Sequence, residues 1–140
     1  MRGDGVTAVA DLHNIHILLL EDEPATRNIT ARLLRQNGAH VRTAESATAA
    51  REAWEKKRPD AIVCDIGLPD EDGYAFIRAL RAAEKARGVK AIPAIALTAF
   101  AGAADRRAAI EAGFDEHVAK PVDAGRLIAV LAKLVGAARG

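Results

Sequence analysis

The chain has 140 residues, half of them hydrophobic, enough for one domain with a sizeable core and too few for two ordinary ones. Its 20 basic and 19 acidic residues leave a formal charge of +1 and aromatics are only 4%, which argues against direct nucleic-acid binding. The single cysteine, Cys64, cannot form an internal disulfide, the first residues do not combine a basic start, a long apolar stretch and a cleavage site, and the most apolar segment, residues 91–104, falls short of a membrane span of roughly 18 residues. A reducing, cytoplasmic setting without membrane contact is therefore expected.

Residues 1–13, with Gly3, Asp4 and Gly5 and no sustained period, read as a flexible lead-in or linker to a domain over 14–138. Residues 15–20 form an apolar run that ends in Glu21, Asp22, Glu23 and Pro24, a buried strand turning into a helix. Ile29, Leu33 and Leu34 supply that helix's apolar stripe, and Asn37 and Gly38 end it. A short strand at 40–43 and a helix from about Ser46, with Trp54 partly packed, come next. Residues 61–64 form a second wholly apolar strand.

After Asp65 a loop runs to Asp72, which caps a helix with Tyr74, Ile77 and Leu80 inward and Arg78 and Arg81 turned to water. Gly88 closes this helix. Residues 92–97 read as a strand, 102–112 as an alanine-rich helix and 117–119 as the end of a fifth strand. Asp123 caps a last helix whose stripe is Leu127, Ile128, Leu131, Leu134 and Val135. Five apolar strands, each followed by a helix, require crossover connections, so the fold class is α/β with a parallel sheet covered on both faces.

In such sheets ligands bind beyond the carboxyl ends of the strands. The residues there are Glu21 and Asp22, Asp65, Thr98 and Lys120. Two like unit charges ~4 Å apart at an effective dielectric of ~20 repel by about 4 kcal/mol, so converging carboxylates need a cation. Hard oxygen ligands of this kind suit Mg2+. Lys120 adds a positive point charge for Asp65 or a phosphoryl oxygen, Thr98 a hydroxyl for a second oxygen, and Asp65 is the natural nucleophile on phosphorus. Each residue alone also has an ordinary reading: turn, helix cap, strand former or surface lysine. Only their joint position carries the chemistry.

The segments Leu18-Leu-Leu-Glu-Asp-Glu-Pro, Val63-Cys-Asp-Ile-Gly-Leu-Pro-Asp-Glu-Asp-Gly-Tyr, Ala96-Leu-Thr-Ala-Phe and Glu111-Ala-Gly-Phe-Asp-Glu-His-Val-Ala-Lys-Pro-Val together resemble response-regulator receiver domains of two-component phosphorelays. The resemblance covers about residues 14–136. It implies a flavodoxin-like (βα)5 sheet of strand order 2-1-3-4-5, doubly wound. It further implies that Asp65 accepts phosphate from a phosphohistidine on a histidine kinase or histidine phosphotransfer protein. Glu21, Asp22 and Asp65 would hold Mg2+ with the carbonyl of Gly67, Thr98 and Lys120 would contact the phosphoryl group, and the Lys120-Pro121 bond is often cis in the family.

One position departs from the family pattern. Three residues before the lysine, receivers usually carry Tyr or Phe that turns inward with the threonine; here it is His117, either a second switch residue beside Thr98 or a partly exposed strand-end histidine. Gly67 and Phe100, two residues beyond Asp65 and Thr98, cannot orient water by a side-chain hydrogen bond, so slow self-dephosphorylation is expected. His13, His16 and His40 lack a convincing metal-ligand set, and Cys64 reads as a buried small hydrophobe.

Three alternatives share parts of this pattern. An FMN carrier would need phosphate-binding donors where Glu21, Asp22 and Glu23 stand. An aspartyl phosphatase would place its nucleophile on the first strand. A receiver-like scaffold that is never phosphorylated would keep the fold alone. Ending at Gly140, the chain reads as a stand-alone regulator, a phosphate shuttle or a receiver from a hybrid histidine kinase, monomeric or weakly dimeric on phosphorylation, with the fourth helix, fifth strand and fifth helix as its responsive surface.

Overall fold

The computed structural model describes residues 12–99 and 102–139. Its elements alternate: β1 (His16–Leu20), α1 (Pro24–Gln36), β2 (His40–Ala44), α2 (Ala47–Lys56), β3 (Ala61–Asp65), α3 (Gly73–Arg87), β4 (Ala94–Thr98), α4 (Ala103–Ala112), β5 (Glu116–Ala119) and α5 (Ala124–Arg139). All strand pairs are parallel and the sheet order is β2-β1-β3-β4-β5. The expected α/β class and strand order are thus both present.

The strand period of two sorts the apolar residues into two cores. Leu18, Leu20, Ile62, Cys64, Ala94 and Ala96 face a layer built by Trp54 of α2, Phe76, Ile77 and Leu80 of α3, and Ala109 and Ala112 of α4. Their alternates Ile17, Leu19, Ala61, Val63, Ile95 and Leu97 face Ala31 and Leu34 of α1 and Leu127, Ile128, Leu131 and Val135 of α5. Every position of β3 and β4 is buried, which is why these strands read as unbroken apolar runs. Burying each Leu or Ile side chain contributes about 1.5–3 kcal/mol.

Helix starts follow their caps. Glu23 accepts from the Thr26 N–H with Pro24 in the first turn, Ser46 accepts from the Ala49 N–H and Asp72 from the Ala75 N–H, while Gly88 closes α3 with φ 65°. Asp123 accepts from the Arg126 N–H at 3.1 Å. Among the described residues no helix is long and apolar enough to cross a membrane.

Several details differ from the sequence reading. Ile29 is 55% exposed, because the buried stripe of α1 is Thr30, Ala31 and Leu34. Trp54 is buried, with Arg87 stacked over its ring. Arg81 is not turned to water; it binds Glu84, Asp115 and the carbonyls of Gly113 and Ile92. β4 begins at Ala94 because Pro93 has no N–H for the ladder, and the Ile92 N–H goes instead to buried Glu84 at 2.9 Å. Residues 1–11 of the expected lead-in lie outside the described residues, whereas Leu12 is fully buried and donates its N–H to the Asn37 carbonyl, so it packs with the domain.

Candidate functional site

β1 and β3 are neighbours, yet the chain leaves β1 toward β2 and leaves β3 toward β4, so a crevice opens between the carboxyl ends of β1 and β3. Glu21 and Asp22 follow β1 there, and Asp65 ends β3. Oxygens of these three carboxylates lie within 4.8 Å of one another. Glu21 is fully buried, Asp65 nearly so, and Asp22 is exposed.

Lys120, next after β5, sets its Nζ 2.7 Å from Glu21 Oε1 and 3.2 Å from Asp65 Oδ2. The second oxygens are held by backbone: Glu21 Oε2 accepts from the Glu23 N–H and Asp65 Oδ1 from the Gly67 N–H, each at 3.2 Å. Burial pushes the Glu21 carboxyl above its ordinary pKa against the opposing pull of Lys120. Burial also draws Lys120 down, but its hydrogen bonds and attraction to Glu21 and Asp65 leave it raised, so the ammonium persists. Three carboxylates against one ammonium leave excess negative charge on hard oxygen donors, which fits a divalent ion such as Mg2+.

Thr98 ends β4, pairs in register with Ala119, and its carbonyl accepts the Lys120 N–H at 2.7 Å, which places Thr98 and Lys120 on one rim. The Lys120-Pro121 peptide is cis. Gly73 is required by a close approach: a Cβ there would lie 2.9 Å from Ile66 Cα and 3.0 Å from the Asp65 carbonyl oxygen. Gly67 has the opposite character, since a Cβ would meet nothing within 4 Å.

His117 is 7% exposed, and neither ring nitrogen has a hydrogen-bond partner. The reading of it as a partly exposed strand-end residue is therefore corrected: its neighbour Val118 faces the α1/α5 core, so His117 points to the opposite face. Phe100 lies outside the described residues. His16 and His40 stack across β1 and β2 with ring centroids 4.7 Å apart. Cys64 is buried, and burial followed by the charges of Asp65 and Glu21 pushes its thiol far up.

Two residues at the site were not legible in the sequence. Arg27 donates to the carbonyls of Glu21 and Asp22 at 3.1 and 3.3 Å, bracing the acidic turn from α1. Asp70 bonds the start of α2, more than twenty residues upstream. The six-residue offset of Arg27 from Glu21 is a weak local signal, whereas Asp70 has none.

A five-stranded parallel sheet in this order, with acids and a lysine at its switch point, defines a receiver-type domain. The chain belongs to the response regulator receiver domain family, which matches it over residues 17–132. It is 38% identical to a 14.6 kDa protein of Leptolyngbya boryana, covering 84% of this chain and 87% of that one. It is 33% identical to the sensor protein GacS of Pseudomonas syringae pv. syringae, over 87% of this chain but 14% of GacS. The transcriptional regulatory protein KdpE of Escherichia coli K12 is 37% identical over 83% of this chain and 49% of KdpE. The chain thus spans only a part of these two longer relatives.

Among solved structures, the receiver domain of sensor histidine kinase PA1611 from Pseudomonas aeruginosa is 36% identical with a TM-score of 0.76, covering 88% of this chain and 98% of that one. That structure has a magnesium ion coordinated in its active-site cleft. The receiver of Ssk1 from Saccharomyces cerevisiae, co-crystallised with the histidine phosphotransfer protein Ypd1, shares the fold at 24% identity and a TM-score of 0.83, over 89% of this chain and 90% of that one.

Proposed function

We propose that this domain accepts a phosphoryl group on Asp65 from a phosphohistidine of a histidine kinase or histidine phosphotransfer protein. The observation that carries the proposal is the Lys120 ammonium bridging buried Glu21 and nearly buried Asp65 inside a cluster of three carboxylates. A solvated turn or a helix cap needs no such arrangement. Glu21, Asp22, Asp65 and the Gly67 carbonyl would hold Mg2+, which when bound neutralises phosphoryl oxygens during transfer. The magnesium ion coordinated in the active-site cleft of the related PA1611 receiver supports Mg2+ as the ion.

The residues divide the work by their positions. An Asp65 carboxylate oxygen attacks phosphorus, forming the acyl phosphate as the phosphorus–nitrogen bond to the donor imidazole breaks. Lys120 exchanges its contact with Asp65 for one with a phosphoryl oxygen, and the Thr98 hydroxyl donates to another. Movement of Thr98 opens space toward His117, whose unpartnered ring is free to repack, and the change reaches the surface of α4, β5 and α5.

An apolar groove formed by Ala25, Ile29 and Leu33 of α1 with Pro121 and Val122 lies beside Lys120, and it suits docking of the phosphodonor. A receiver of the same fold pairs with a histidine phosphotransfer protein in the Ssk1 complex, which supports that class of partner.

The test is incubation with Mg2+ and acetyl phosphate followed by intact-mass measurement, beside an Asp65→Asn variant and a chelated sample. One added phosphoryl group, lost in both controls, is the expected result. No addition from acetyl phosphate or from a phosphorylated histidine phosphotransfer protein would sink the proposal and leave a phosphorylation-independent scaffold.

A further inference from the structure

We infer that Asp70 is a positioning residue, clamping the loop of residues 66–72 to the N-terminus of α2 and so setting the backbone at Gly67 beside Asp65. The inference rests on the reading of Asp65 as the acceptor. One Asp70 oxygen accepts the Ala47 N–H at 3.0 Å; the other accepts the Thr48 N–H at 3.0 Å and the Thr48 hydroxyl at 2.8 Å. Within α2 the Ser46 hydroxyl caps the Ala49 N–H at 3.1 Å, and Asp70 reaches in from another segment to take the Ala47 and Thr48 N–H groups that Ser46 leaves open. What the contact adds is a tie between two segments far apart in sequence.

That tie completes a chain of bonds around the acid cluster. The Glu21 N–H donates to the Ala44 carbonyl at the end of β2, two residues before the α2 cap. From the first turn of α2 the connection passes to Asp70, and back along the loop to the Gly67 N–H, which donates to Asp65 Oδ1. Beyond Asp70, Arg51 of α2 reaches Glu71 at 2.6 Å, a second link on the same helix. The Gly73 N–H to the Ile66 carbonyl, at 2.8 Å, closes the loop at its base. Asp70 is exposed, yet its carboxylate spends both oxygens on protein donors at the positive end of a helix. Those bonds hold its pKa at about 2, so the clamp is ionised throughout the physiological range.

The experiment compares Asp70→Ala with Ser46→Ala, which removes a cap from the same helix and leaves the loop contact alone. The readouts are amide hydrogen exchange at Gly67 in metal-free protein, the Kd for Mg2+ alone by calorimetry, and the acetyl phosphate reaction rate. Asp70→Ala is expected to accelerate Gly67 exchange about tenfold, weaken Mg2+ binding about fivefold and slow phosphorylation. Ser46→Ala is expected to lower Tm comparably but leave all three readouts within about twofold.

Should Asp70→Ala not fold, Thr48→Val removes only the hydroxyl contact and is expected to shift the same readouts the same way by a smaller factor. Asp70→Asn, which keeps one acceptor, is expected to fall between wild type and alanine. Equal Tm losses in the two alanine variants with unchanged Gly67 exchange and Mg2+ affinity would overturn the clamp while leaving Asp65 as acceptor. Wild-type protein that neither binds Mg2+ nor takes up phosphate would overturn both.

Discussion

Replacing Lys120 by methionine tests the electrostatic core of the site directly. The substitution roughly keeps the aliphatic volume and removes the one ammonium within 2.7 Å of Glu21 and 3.2 Å of Asp65. At an effective dielectric of ~20 each contact is a gross attraction of about 5–6 kcal/mol. Desolvation and the quarter exposure of the Lys120 side chain offset most of it, leaving a net loss of about 3 kcal/mol, typical of breaking a buried pair from one side. For a domain of this size that is a fall in Tm of about 10 °C at neutral pH.

The pH dependence has a definite sign. Glu21 already has a pKa raised by burial, and without Lys120 it rises further, so the folded state holds an unfavourable carboxylate above that pKa. As pH falls toward that raised pKa the carboxylate takes up a proton and the penalty disappears, so the deficit against wild type should shrink from neutral to mildly acidic pH. Mg2+ should raise the Tm of the variant more than that of wild type, because the ion supplies the missing positive charge. Thermal unfolding at neutral and mildly acidic pH, with and without Mg2+, measures all of this. A deficit under about 3 °C, unaltered by pH, would refute the account of Lys120 as the compensating charge.

Gly67→Asn should shorten the aspartyl phosphate lifetime roughly 3- to 10-fold, because the space beyond Gly67 admits an amide able to orient water; an unchanged or longer decay half-time would end that idea. Glu84→Ala should cost about 3 kcal/mol in denaturant unfolding, since buried Glu84 joins Arg58, Arg81 and the Ile92 N–H. Ile29→Asp should slow phosphotransfer from a phosphohistidine protein by roughly tenfold while leaving the acetyl phosphate rate alone; equal rates from the protein donor would remove α1 from the docking surface.

The sheet and most of the acid cluster were legible because both depend on local pattern. Residues 61–64 and 92–97 announce buried parallel strands by their apolar character, the second starting at Ala94 in the structure, and the polar residue at each strand end marks the ligand edge of such a sheet. Ile29 was misplaced because a helix's inner face is decided by what it packs on, and α1 lays Thr30 and Ala31 rather than Ile29 against the sheet. Arg81 was misplaced because three of the groups it binds, Ile92, Gly113 and Asp115, stand in connections beyond α3, distant in sequence.

The alternation of strands and helices, most of the helix caps, and the standing of Glu21, Asp22, Asp65, Thr98 and Lys120 at strand ends were legible in residue type and local pattern, and the joint position of these five on one sheet edge gave them a shared chemistry. That Lys120 bridges Glu21 as well as Asp65, that His117 is buried with no partner for its ring, and that Asp70 ties its loop to α2 came to light with the folded chain. Those contacts join residues 22 to 99 positions apart, and such distances are closed by the packing of helices on the sheet rather than by anything a neighbouring residue specifies.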